Sequence, residues 1–137
     1  MTVYVDASVL LRIVLGERGA LAQWRKITRP IASELVRLEC LRTIDRARLR
    51  LGLAPSDLAG RRAAVLEQLR GFEIVPMDAP ILDRAAEPFP APLGSLDAIH
   101  LASAVLARAT IPDLVVATHD VELATAARAV GFEVLGA

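Results

Sequence analysis

Short apolar runs alternate with stretches of helical periodicity along the whole chain. Val3, Tyr4 and Val5 form an apolar run that stops at Asp6, and within 7–16 the positions Val9, Leu10, Ile13 and Val14 recur at helical spacing. A second short helix is predicted over 20–27, then a brief extended piece at 30–32. Ser33 is a good N-cap for a long helix that runs to Leu51 and is closed by Gly52. Its apolar stripe is Val36, Cys40, Ile44, Ala47 and Leu51. Pro55, Ser56 and Asp57 open another helix, running to Arg70; a strand at 72–77 and a short helix at 78–87 follow. Pro88, Pro90 and Pro92 force a loop over 88–94. Ser95 is then predicted to cap a helix to Ala109, with a strand at 114–118, a helix at 120–130 ended by Gly131, and a last strand at 132–135.

Strands that alternate with helices need crossover connections, which give a mainly parallel sheet covered on both faces. The expected fold class is therefore three-layer α/β, with a mainly parallel central sheet and an inserted helical hairpin at 33–70. At 137 residues the chain is expected to form one domain over 1–137, since single cores divide only beyond roughly 250 residues.

Composition narrows the function. Hydrophobic residues make up 54% of the chain and mean hydropathy is +0.45, which supplies a core and excludes a disordered chain. Sixteen basic residues balance sixteen acidic ones, so a protein that coats nucleic acid non-specifically is not expected. A single cysteine, Cys40, excludes a disulfide-stapled module. No leader-like segment and no bilayer-length apolar run is present, so the expectation is a cytoplasmic protein without a membrane partner. The charge is nevertheless uneven. Residues 23–62 hold ten basic and four acidic side chains, a net of +6, whereas 73–122 hold eight acidic and two basic ones, a net of −6. These are either two solvated surfaces or a cation-collecting site beside a basic surface for a polyanion.

Several kinds of chemistry drop out at once. There is no phosphate-cradling glycine motif, no cysteine or histidine pair spaced for zinc, and no nucleophile elbow around any serine. A phospho-receiver would need a lysine after a late strand, but the only lysine is Lys26; a D-x-D phosphatase is disfavoured by Asp6-Ala7-Ser8. Acids remain. Asp6 and Asp120 each follow a predicted strand, where open parallel sheets form their sites, although an ordinary N-cap reads the same way. Asp97 lies near the start of a helix that is apolar almost all round, where interaction with the helix N-terminus is the plain alternative. Glu39 lies at the edge of an apolar stripe, within reach of Arg42 for a surface pair. His100 reads as a packed, hydrogen-bonded histidine before it reads as a ligand. Brought together, the four acids would repel one another unless a cation sat among them, and magnesium suits such a set.

The same residues carry a resemblance. Val3-Tyr4-Val5-Asp6-Ala7-Ser8-Val9-Leu10 resembles the opening motif of PIN domains, and Ser33-Glu34-Leu35-Val36-Arg37-Leu38-Glu39 their second. Leu96-Asp97-Ala98-Ile99-His100-Leu101-Ala102-Ser103-Ala104 resembles the third, and Ala117-Thr118-His119-Asp120 with Leu123, Ala126-Ala127 and Gly131-Phe132 the fourth. All four occur in order across essentially the whole chain, and the length is similar to that of VapC-type toxins of type II toxin–antitoxin pairs. The resemblance implies a metal-dependent endoribonuclease using Mg²⁺ or Mn²⁺ and leaving a 5′-phosphate and a 3′-hydroxyl. It makes Asp6, Glu39, Asp97 and Asp120 the catalytic and metal-binding acids, with Ser8 and Thr118 as polar helpers. It also implies an RNA substrate, a homodimer and a VapB-like antitoxin whose C-terminal segment lies across the site. Arg42, Arg46 and Arg50 then become candidate contacts for RNA or antitoxin. The alternatives are an RNA-processing nuclease of the same kind without an antitoxin, and a PIN-like module that binds without cutting.

Overall fold

The computed structural model describes residues 1–137. Its strands are β1 (Thr2–Val5), β2 (Arg29–Ser33), β3 (Glu73–Val75), β4 (Val115–Ala117) and β5 (Val134–Leu135). They form one sheet in the order β3-β2-β1-β4-β5, and every neighbouring pair is parallel. Between them run α1 (Ala7–Val14), α2 (Leu35–Leu51), α3 (Pro55–Leu69), α4 (Ala79–Ala86), α5 (Ser95–Arg108) and α6 (Val121–Ala129). The three-layer α/β expectation holds, and α2 packs on α3 as the expected hairpin.

The alternation of side chains along β1 builds two cores. Val3 and Val5 point into one layer with Val9 and Leu10 of α1, Val36, Cys40 and Ile44 of α2, and Val65 of α3. Tyr4 points the other way, into Leu101 of α5, Val116 of β4, Leu123 of α6 and Phe132. The sequence order fixes where a site can form. After β1 the chain moves outward to β2 and β3 on one side, and it returns to β4 and β5 on the other. The break in direction lies between β1 and β4, and in open α/β sheets the crevice at the carboxyl ends of such strands is where ligands bind. Asp6 and Thr118 occupy those two ends, tied by the Asp6 N–H to Ala117 carbonyl bond of 3.0 Å.

Four local expectations are corrected. The cap of α2 is Glu34 rather than Ser33, which is still the last residue of β2, although the Ser33 hydroxyl accepts the Leu35 N–H at 3.1 Å. The predicted helix at 20–27 is only a 3₁₀ turn, Trp24–Lys26; so short a segment closes few helical bonds, and Trp24 packs instead on Phe72, ring centroids 6.3 Å apart. The cap of α5 is Gly94 rather than Ser95, because the extended Gly94 already accepts the first bond, from the Ala98 N–H at 2.9 Å. Leu51 does not join the α2 stripe in the core but stands 57% exposed in the last turn. Gly52, at φ +61, ends that helix in the left-handed conformation that disfavours other residues. No helix is long and apolar enough to cross a membrane.

Candidate active site

Asp6 is the fixed point of the site. It is buried at the end of β1 and acts as the N-cap of α1, its side chain accepting from the Ser8 N–H at 3.4 Å. The Ser8 hydroxyl donates to the same Oδ2 at 2.6 Å and the Thr118 hydroxyl donates to it at 2.9 Å. Each hydroxyl in turn accepts a backbone N–H: Ser8 from His119 at 2.9 Å, Thr118 from Asp120 at 3.0 Å. Amide groups only donate, so both hydroxyl protons are directed onto Asp6. Oδ2 is thereby saturated, and Oδ1 is left toward His100 Nε2, 3.5 Å away.

The other acids come from three helices. Glu39, on α2, keeps 22% of its side chain exposed and places Oε1 2.5 Å from His100 Nε2. The same nitrogen lies 3.5 Å from Asp6 Oδ1. Ligating atoms of Asp6, Glu39 and His100 all fall within 4.8 Å of one another. Asp97, half-buried in the first turn of α5, and Asp120, exposed at the start of α6, flank this trio rather than joining it. Asp120 also caps α6, accepting the Leu123 N–H at 3.0 Å, so the cap reading holds for it.

The acids nevertheless feel one another. Burial, together with the charges of Asp120, Asp6 and Glu39, pushes the Asp97 carboxyl up to about 6 against the opposing pull of His100. For His100, burial favours the neutral ring, but the Glu39 hydrogen bond and the charges of Asp6, Glu39 and Asp97 outweigh it and raise its pKa. Carboxylates crowded at one strand edge, with a free Asp6 oxygen among them, fit a hard, oxygen-preferring divalent cation. Cys40, beside Glu39 in the chain, is buried, and that burial with the nearby Glu39 and Asp6 charges pushes its thiol up to about 12. It is core filler.

Beside the acids opens a cleft of about 380 Å³ lined by Leu35, Leu38, Glu39, Arg42, Thr43, Arg46 and Leu96. Arg42 and Arg46 therefore stand next to Glu39, whereas Arg50, more than one turn further along α2, lies outside the lining. Arg42 also bonds Asp45 at 3.0 Å. Tyr4, which reads in the sequence as an ordinary core aromatic, proves to bond His100 Nδ1 at 2.8 Å. Its only sequence signal is a hydroxyl on an otherwise apolar strand. The His119 ring bonds the Gly136 carbonyl at 2.9 Å, so it is held toward the end of β5.

An all-parallel sheet of this order, with acids gathered at its switch point, is a PIN-type arrangement. The PIN domain family matches residues 3–129. Ribonuclease VapC35 of Mycobacterium tuberculosis is 38% identical over 139 residues, covering 97% of this chain and 95% of that protein. Among solved structures, a toxin-antitoxin complex from Klebsiella pneumoniae shares the fold at 19% identity with a TM-score of 0.64, over 87% of each chain. FitAB bound to an IR36 DNA fragment shares it at 16% identity and a TM-score of 0.69, over 97% of this chain and 93% of that one. The chain belongs to the PIN domain family, among its VapC-type members.

Proposed function

We propose that this chain is a metal-dependent endoribonuclease, the toxin of a type II toxin–antitoxin pair, acting in the cytoplasm as a single 1–137 domain and as a homodimer. The observation that carries the reading is the approach of Asp6 and Glu39, with Asp97 and Asp120 at their flanks, at the switch point of a PIN-family sheet. Relatives named as ribonucleases, and a neighbour described as a toxin-antitoxin complex, support the substrate class and a VapB-like antitoxin partner.

Asp6, Glu39, Asp97 and Asp120 would hold Mg²⁺ or Mn²⁺. When bound, such an ion supplies Lewis acidity and a water of lowered pKa suited to in-line hydrolysis of a phosphodiester. The chain's own residues prepare the place. Ser8 and Thr118 lock Asp6 through Oδ2 and leave Oδ1 on the side of Glu39 and His100. Asp97 and Asp120 add negative charge that favours cation entry. Arg42 and Arg46, on the cleft wall, offer guanidinium groups to the RNA backbone or to acidic antitoxin side chains.

The test is cleavage of total RNA by purified protein with Mg²⁺ or Mn²⁺. Cleavage that stops with a chelator and in Asp6→Asn supports the reading; chelator-resistant cleavage, or full activity in folded Asp6→Asn, contradicts it.

A further inference from the structure

Two buried groups and the half-buried Glu39, from three elements, stand in a row. The Tyr4 hydroxyl of β1 is 2.8 Å from His100 Nδ1 on α5, and His100 Nε2 is 2.5 Å from Glu39 Oε1 on α2. Tyr4 is 1% exposed and His100 0%. The row also joins α2 to α5, whose apolar faces belong to opposite layers of the fold.

The chemistry of the partners decides what the imidazole does. Nε2 faces only carboxylate oxygens, Glu39 Oε1 at 2.5 Å and Asp6 Oδ1 at 3.5 Å. Ionised carboxylates only accept hydrogen bonds, so the hydrogen sits on Nε2. A nitrogen that carries a hydrogen has no lone pair for a cation. Nδ1 is closed off by Tyr4. With the hydrogen on Nε2, a neutral ring accepts from the Tyr4 hydroxyl at Nδ1 and a charged ring donates to the Tyr4 oxygen. Proximity alone would place His100 beside Asp6 and Glu39 as a third ligand, but the 2.5 Å approach of Nε2 to Glu39 Oε1 is that of a hydrogen bond, and between a ring nitrogen and a carboxylate the ring is the donor.

We infer that His100 is a positioning residue, not a ligand: its Nε2–H fixes the Glu39 carboxylate, and the Tyr4 hydroxyl holds the ring so that this hydrogen points at it. The inference rests on the reading that Glu39 helps hold the cation, and deepens it. Glu39 extends from a helix edge on a flexible side chain, and a buried donor removes the freedom it would otherwise lose on binding. The ligands left to the cation are then all oxygen, which favours Mg²⁺ or Mn²⁺ over zinc.

The test uses the full chain, with Mn²⁺ binding read by electron paramagnetic resonance and ring protonation read by ¹⁵N-histidine NMR. The chain has two histidines, so His119→Asn assigns the His100 signals. His100→Leu is expected to lose about 10–100-fold in Mn²⁺ affinity, the usual effect of removing a partner of a metal ligand. His100→Gln, which keeps a donor, recovers part of that loss. Tyr4→Phe, which keeps the packing, weakens Mn²⁺ binding less than His100→Leu and disturbs the His100 signals. In the wild type, Nε2 keeps its hydrogen when Mg²⁺ is added. The inference alone is overturned if the wild type binds Mn²⁺ and both His100→Leu and Tyr4→Phe bind it equally well, or if metal displaces the Nε2 hydrogen. A wild type that binds no Mn²⁺ overturns the cation-site reading and the inference together.

Discussion

The Thr118 hydroxyl donates to Asp6 Oδ2 at 2.9 Å, linking the end of β4 to the end of β1, while it accepts the Asp120 N–H at 3.0 Å. One fully buried hydroxyl thus sets both the carboxylate of the first acid and the backbone of the fourth. Thr118→Val keeps the shape and removes both bonds. It leaves a part-buried amide and a buried carboxylate each one partner short, so a loss of about 1–3 kcal/mol of stability is expected. Chemical denaturation checks the first effect. A fall in Mn²⁺ affinity, measured by titration, checks the second, and an unchanged affinity would argue that Ser8 alone suffices to hold Asp6.

The metal-free protein should lose stability as pH rises. Asp97 binds its proton more tightly folded than unfolded, so the stability it contributes is present below its ordinary pKa of 3.8 and is lost as pH rises to about 6. His100, also raised, acts with the same sign at higher pH. Thermal melts of the metal-free protein across this range should fall with pH, and Asp97→Asn should flatten the lower part of the slope. Added Mg²⁺ should raise the melting temperature more at neutral pH than in acid, because it opposes the same repulsion. A wild-type slope unchanged in Asp97→Asn would remove Asp97 from the account.

Leu101 and Leu51 give a contrast in packing. Leu101 is 1% exposed on the helix that carries Asp97 and His100, whereas Leu51 is 57% exposed. Leu101→Ala should cost about 2–5 kcal/mol, while Leu51→Ala should stay within about 0.5 kcal/mol of the wild type. Urea unfolding of the two variants decides it; a large loss in Leu51→Ala would point to an interface covering the end of α2.

The arginines should separate by position. Arg42 and Arg46 line the cleft beside Glu39, and Arg50 does not. Arg42→Ala with Arg46→Ala should raise KM for RNA and lessen the salt dependence of binding, leaving kcat nearly unchanged. Arg50→Ala should change neither. Equal effects from Arg50→Ala would mean that the RNA path follows the whole of α2 rather than the cleft.

Much of this was legible in the sequence because it depends on local pattern. Short apolar runs mark the strands, and position at a strand end or on an apolar helix marks Asp6, Asp97 and Asp120. What local pattern could not give was contact across the fold. Glu39 and His100 are separated by 61 positions and Tyr4 and His100 by 96, so nothing near any of them in the chain announces the row. The α2 stripe includes Leu51 because a stripe has no marker for where its partner helix ends. The loss of the 20–27 helix has the same origin: Trp24 finds Phe72, far along the chain, and that contact outweighs one or two helical turns.

The most direct measurement is cleavage of a defined RNA by wild type and Asp97→Asn, each folded, across a Mg²⁺ titration and with a chelator. Cleavage is expected to rise with Mg²⁺, to stop with the chelator, and to drop by about 100-fold or more in Asp97→Asn, a loss of at least about 2.7 kcal/mol in transition-state stabilisation. Cleavage by Asp97→Asn at the wild-type rate, or cleavage that persists in the chelator, would contradict that expectation.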